Sequence, residues 1–287
     1  MPKISPPMNA RQLFQQIKRK KSFLCVGLDT DLEKIPPHLL EKDDPVFEFN
    51  RYVVEATAEF AVAFKPNLAF YESLGPDGWR SLRKTVKFIR RNYPGIFLIA
   101  DAKRGDIGNT SEKYARTFFD YKAAGLDFDA VTLSPYMGQD SVVPFLAFPG
   151  KWLVVLALTS NPGANDFQNA RLETGEYVFE KVIKTCASWT TTDRLMFVVG
   201  ATRANSLVKI RQWVPDHFLL VPGVGAQGGS LAEVAEYGMN RECGLLVNSS
   251  RAIIYADHSP DFAAFVRVKA IEIQQEMEKL LTKKGIL

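Results

Sequence analysis

Eight short apolar runs alternate along the chain with longer segments whose apolar positions recur at helical spacing. The runs are 23-FLCVGLD-29, 61-AVAFKPN-67, 96-IFLIADAK-103, 130-AVTLSP-135, 152-WLVVLALTS-160, 195-LMFVVGAT-202, 217-HFLLVPGVG-225 and 244-GLLVNSSR-251. Most are near-continuously hydrophobic, as parallel strands covered on both faces should be. Residues 46–60, 79–93, 112–124, 175–189, 204–213 and 230–237 read as amphipathic helices, with residues 8–20 opening and 260–281 closing the chain. Asn109, Thr110 and Ser111 are cap-like residues placed to open the 112–124 helix. Eight strand–helix units predict an α/β chain folded as a (β/α)8 TIM barrel, a single domain over residues 9–287 after a loose tail over 1–8. Two smaller doubly wound domains are the alternative, but no Pro/Gly/Ser-rich linker divides the chain.

Composition narrows the picture mostly by exclusion. With 46% hydrophobic and 24% charged residues over 287 positions, the chain has the make-up of a soluble globular protein. A net charge of +4 is too small to argue for nucleic acid, and the basic cluster Lys18 to Lys21 lacks interleaved aromatics and reads as a solvated helix end. Cys25, Cys186 and Cys243 are scattered, so they suggest neither a zinc site nor a disulfide framework, and they fit a reducing compartment. The first residues lack the apolar core of a secretory signal, and no apolar stretch approaches membrane-spanning length; a cytoplasmic protein is the expectation.

The third run ends in charge. Asp101 and Lys103 lie two residues apart and would project together from a strand, and Asp106 follows in a turn bounded by Gly105 and Gly108. Core packing does not require charges there, and burying them is costly unless they pair. A lysine between carboxylates keeps its proton near neutral pH, which suits proton delivery and stabilisation of developing negative charge. Other runs end in Asp29, Lys65, Ser134, Ser160, Thr202, Pro222 and Arg251, and in a barrel these ends share one rim. The glycine-rich 222-PGVGAQGGS-230 after the seventh run, with Arg251 after the eighth, matches the recurrent phosphate position of such barrels. The polar stretch 159–176 is either a surface loop or a lid, with Ser160 and Asn161 at its base able to bond a polar ring edge. His38, His217 and His258 are isolated, and no constellation has metal-ligand spacing.

Taken in order, the LD of 27-GLDTD-31, 65-KPN-67, 101-DAKRGD-106, 159-TSNPGA-164, 222-PGVGAQGG-229 and 249-SSRAI-253 resemble the orotidine 5′-phosphate decarboxylase family, in its longer bacterial subgroup, over residues 23–255. The resemblance implies cofactor-free decarboxylation of orotidine 5′-phosphate (OMP) to UMP and CO2 in pyrimidine biosynthesis, by a homodimer with active sites shared across its interface. It implies an alternating network of Lys65, Asp101, Lys103 and Asp106, with Lys103 protonating C6 and Asp101 beside the departing carboxylate. Asp106, Ile107 and Thr110 would reach the partner's site, Asp29 and Lys65 would bind ribose hydroxyls, and Ser160 would contact the pyrimidine amide edge. Gln227 and Arg251 would hold the 5′-phosphate with the backbone around Ser250, Pro222 would belong to the same substrate-binding set, and the Gln227 loop would close over the substrate.

Two other readings compete. A related sugar-phosphate decarboxylase would use Mg²⁺ and an enediolate, and should carry an acidic metal ligand where this chain has Lys65-Pro66-Asn67. A non-catalytic nucleotide-binding barrel should have lost one of the four network charges, and all four are present. No length remains for a fused phosphoribosyltransferase domain.

Overall fold

Each of the eight apolar runs coincides with one strand, β3 extending one residue past its run: β1 Leu24–Leu28, β2 Ala63–Pro66, β3 Phe97–Arg104, β4 Ala130–Leu133, β5 Trp152–Leu158, β6 Leu195–Val199, β7 Phe218–Pro222 and β8 Leu245–Ser249. In the computed structural model, which describes residues 7–225 and 228–287, the strands are parallel and close into a barrel, with β8 paired back onto β1. Parallel neighbours need a crossover, and helices outside the barrel supply it. The doubly wound alternative is thereby excluded.

Aromatic side chains close the floor of the barrel. Phe97, Trp152 and Phe218 begin the alternate strands β3, β5 and β7, and their rings meet edge-to-face at 5.8 and 6.3 Å. Strands that are not neighbours can touch only across the interior, so these rings form one layer of the packed core. Trp152 Nε1 donates to the carbonyl of Met8 at 2.7 Å, which ties the start of the described chain to this layer. The opening helix Ala10–Lys20 follows at once, fixed by a reciprocal capping box between Asn9 and Gln12. Residues 1–6 of the expected tail lie outside the described residues.

Helix positions follow the sequence expectation with two informative departures. The 112–124 helix instead spans Gly108–Phe119, and Asn109, Thr110 and Ser111 lie inside its first turn and do not cap it. Ser111 is buried, and its hydroxyl donates to the carbonyl of Ser141 at 3.0 Å, so the group is engaged in packing. Asp120 then leaves helical geometry and caps a separate turn, Tyr121–Ala124, by accepting the N–H of Lys122 at 3.0 Å. The 175–189 helix begins only at Val178, because residues up to Tyr177 belong to the loop after β5. That loop is folded, with the Gln168 side chain bonded to both the N–H and the hydroxyl of Thr159. No described helix is long and apolar enough to cross a membrane.

Candidate active site

The carboxyl end of β3 departs from regular strand geometry. Ala100 pairs with Val131 and Arg104 with Leu133, so four positions along β3 match two along β4. The surplus is taken up by a bulge in which Lys103 adopts a left-handed backbone, φ +48°. Such a conformation costs about 1–2 kcal/mol for a residue with a Cβ, so something must hold it. The Lys103 N–H donates to Thr132 Oγ1 at 2.9 Å, and its Nζ lies 2.7 Å from Asp101 Oδ1. Asp101 and Lys103 do meet at the rim, by way of the bulge and not by simple alternation.

Asp101 is saturated with donors. Lys65 Nζ from the end of β2 lies 2.6 Å from Oδ2, and Thr132 Oγ1 donates to Oδ1 at 3.0 Å. Burial alone would raise the Asp101 carboxyl, but the ammonium groups of Lys65 and Lys103 outweigh it and hold the acid below the usual carboxylate range. Burial likewise works against the charge on Lys65, and the Asp101 and Asp29 carboxylates reverse that and keep it protonated. Removing one member of a buried pair costs about 3–5 kcal/mol, so the pair is fixed by mutual need. The two lysines differ in access: the Lys65 side chain is 5% exposed, the Lys103 side chain 52%. Lys103 is therefore the charge that a molecule at the rim would meet.

The other expected residues that the structure describes occupy the same end of the barrel in varied states. Asp29 follows β1, and its Oδ1 is buried without a hydrogen-bond partner. Arg251 follows β8 on an exposed turn, and no carboxylate among the described residues pairs with it. Ser250, just before it, donates to the Gly27 carbonyl at 3.3 Å, and a Cβ on Gly27 would stand 2.7 Å from the Ser250 Cβ. Only glycine permits this approach of β1 to the Arg251 turn. Pro222 ends β7, and Gly229 in the loop beyond it sits where a Cβ would reach Ala201 at 2.4 Å. The N–H groups of Gly225, Gly228 and Gly229 bond carbonyls of the same loop, and Ser230 caps the helix Leu231–Gly238 by accepting the N–H of Glu233. Ser160 lies half-buried where the loop after β5 begins. Gln227 lies outside the described residues.

Asp106 stands apart from the charged cluster. Its Oδ1 accepts the N–H of Ile107 at 2.8 Å, and it makes no ion pair among the described residues. Ile107 is 56% exposed and Thr110 is exposed beside it. The four-charge alternation expected from the sequence is thus a three-charge cluster within one chain.

Thr132 escaped the sequence reading. It sits in the apolar run of β4, is 1% exposed, and joins the Lys103 backbone to the Asp101 carboxylate. A hydroxyl inside an otherwise apolar strand was the available signal. A cleft of about 870 Å³ opens at the opposite, amino-terminal face, lined among others by Arg19, Lys20, Glu55, Tyr93 and Arg267. None of the rim residues lines it. Among the described residues, no group of three acidic, imidazole or thiol side chains could hold a metal ion.

Known proteins share both the fold and much of the sequence. Curated orotidine 5′-phosphate decarboxylases of Parabacteroides distasonis and Bacteroides fragilis are each 59% identical, over 98% and 96% of this chain and 99% and 98% of their own. The solved Leishmania donovani OMP decarboxylase superposes with a TM-score of 0.81 at 34% identity, covering 95% of this chain and 98% of that one. The UMP synthase of the same organism superposes at 0.83 with 36% identity, but this chain spans only 57% of its length. A family model matches residues 22–264, which include every one of the rim residues described above, and the chain belongs to the orotidine 5′-phosphate decarboxylase / HUMPS family.

Proposed function

We propose that the chain is a carboxy-lyase that converts OMP to UMP and CO2 without a cofactor, in pyrimidine biosynthesis. The observation that carries the reading is the Lys65–Asp101–Lys103 cluster, with its one accessible ammonium fixed at the barrel rim. When the C6–carboxylate bond breaks, its electron pair stays on C6 and CO2 departs. No ring substituent delocalises that pair, so stabilisation must come from a preorganised charge. The Lys103 ammonium supplies it and passes a proton to C6, then recovers a proton from solvent. Asp101, held ionised between two lysines, orients Lys103 and faces the departing carboxylate.

The rest of the rim divides along the substrate. The unpartnered Asp29 Oδ1 and Lys65 take ribose hydroxyls, and Ser160 takes the amide edge of the pyrimidine. Arg251, which pairs with no carboxylate among the described residues, grips the 5′-phosphate together with Gln227 and the backbone at Ser250, beside Pro222. The fourth charge comes from a second copy: Asp106 is half-buried and makes no ion pair among the described residues, and Ile107 and Thr110 beside it are exposed, as residues that enter a partner's site in a homodimer would be. Three free, buried cysteines fit the reducing cytosol.

The deciding experiment follows OMP absorbance with purified protein in EDTA, with Lys103→Ala as the control. Metal-free conversion to UMP by wild type alone is expected. Folded wild type that leaves OMP intact, yet turns over a sugar phosphate with Mg²⁺, would sink the assignment.

A further inference from the structure

Four successive residues, from the last of β1 onward, are each gripped by a side chain from elsewhere or grip one themselves. The Leu28 carbonyl accepts from Tyr71 Oη at 3.0 Å, and Thr30 Oγ1 donates to Asn50 at 2.6 Å. The other two bonds come from one group: Tyr255 Oη donates to the Asp29 carbonyl at 2.7 Å and accepts the Asp31 N–H at 2.8 Å. Tyr255 ends the short turn that begins at Arg251, and its own N–H donates to the Arg251 carbonyl at 3.3 Å. One residue thus binds the main chain of Arg251 and, through its hydroxyl, the main chain of Asp29. Its ring stacks on fully buried Phe49, centroids 5.7 Å apart and planes within 18°, which fixes where the hydroxyl points. The Asp29 carboxylate shows why placement matters: its Oδ1 is buried without a hydrogen-bond partner among the described residues, and the carboxylate is close enough to Lys65 to act on its charge.

We propose that Tyr255 is a positioning residue that holds the Asp29 loop and the Arg251 turn at a fixed spacing, so that the ribose and phosphate ends of one nucleotide are met together. The inference rests on the assignment of Asp29 to ribose and Arg251 to phosphate. Both hydrogen-bonding capacities of the hydroxyl are used on the Asp29 loop, so its removal frees that loop at two points while the aromatic stack remains. A donor and acceptor in one rigid ring preorganises the site before substrate arrives, which lowers the ordering cost of binding.

Tyr255→Phe tests this, because it removes only the hydroxyl. OMP kinetics are measured for wild type, Tyr255→Phe, Asp29→Ala and the double variant, with thermal midpoints alongside. Tyr255→Phe is expected to raise KM about tenfold with kcat within about threefold, and to change KM less than about twofold when Asp29 is already Ala. A purely structural tyrosine would lower the midpoint and the yield of active enzyme and leave KM in place. An unchanged KM, or the same fold-change with and without Asp29, overturns the proposal. If wild type converts OMP but Asp29→Ala leaves KM unaltered, the ribose assignment falls and the proposal with it; if wild type does not convert OMP, the reaction assignment itself has failed.

Discussion

Lys103 Nζ rests 2.7 Å from Asp101 Oδ1 although the Lys103 backbone is left-handed, at φ +48°. The chain accepts local strain to bring an ammonium back over the carboxylate two residues earlier, a pattern typical of functional positions. Lys103→Ala should therefore lower kcat at least about 1,000-fold, as expected for loss of both charge stabilisation and the proton donor. Lys103→Gly should be equally inactive but more stable than Lys103→Ala by about 1 kcal/mol, because glycine adopts this φ freely. Urea melts of the two variants measure the strain apart from the chemistry.

Thr132 connects the same two residues from the neighbouring strand. Thr132→Val keeps the shape but leaves the Lys103 N–H without its acceptor and removes one donor from Asp101. A loss of about 1–3 kcal/mol of stability is expected, since a buried group becomes unsatisfied. With the bulge loosened, kcat should fall about tenfold while KM stays near its wild-type value, the mark of an interaction that matters only in the transition state. Steady-state kinetics on this single variant decide it.

The barrel was legible because its signal is repetitive: eight apolar runs, each bounded by polar residues, leave little choice once they alternate with amphipathic segments. The charged rim was legible for a related reason, since Lys65, Asp101 and Lys103 stand where packing has no use for charge. Less visible were features that depend on register. The β3 bulge is set by pairing with β4, and Ser111 was drawn from a cap into packing by Ser141, thirty positions away in the chain. Tyr255 carries no sequence signal of its role, because its hydroxyl partners at Asp29 and Asp31 lie more than two hundred residues earlier.

Asp106 provides a test of the shared site. If it serves the partner, a mixed dimer of Lys103→Ala and Asp106→Ala chains contains one site with both defects and one with neither. Random mixing of equal amounts makes half of the dimers mixed, so activity should return to roughly a quarter of wild type. Neither variant alone recovers on dilution and reassembly. Absence of recovery, with subunit exchange verified by a mass-tagged chain, would place Asp106 outside the partner's site.

His217 governs a prediction away from the chemistry. It precedes β7 at the floor of the barrel, is 7% exposed, and neither ring nitrogen has a hydrogen-bond partner. Burial, reinforced by the Arg211 guanidinium, lowers its pKa from 6.5 to about 4. The unfolded chain takes up this proton near the ordinary histidine value, whereas the folded chain resists it down to about pH 4. Its contribution to stability is therefore full above pH 6.5, shrinks as the pH falls through that window, and is gone below about 4. The total is at most on the order of 3 kcal/mol. His217→Phe sacrifices no hydrogen bond from the ring and should flatten the stability profile between these limits while leaving kcat unchanged at pH 7.5. Urea denaturation at pH 7, 5.5 and 4.5 reads the slope directly, and equal slopes for the two proteins would mean that another buried group carries the acid sensitivity.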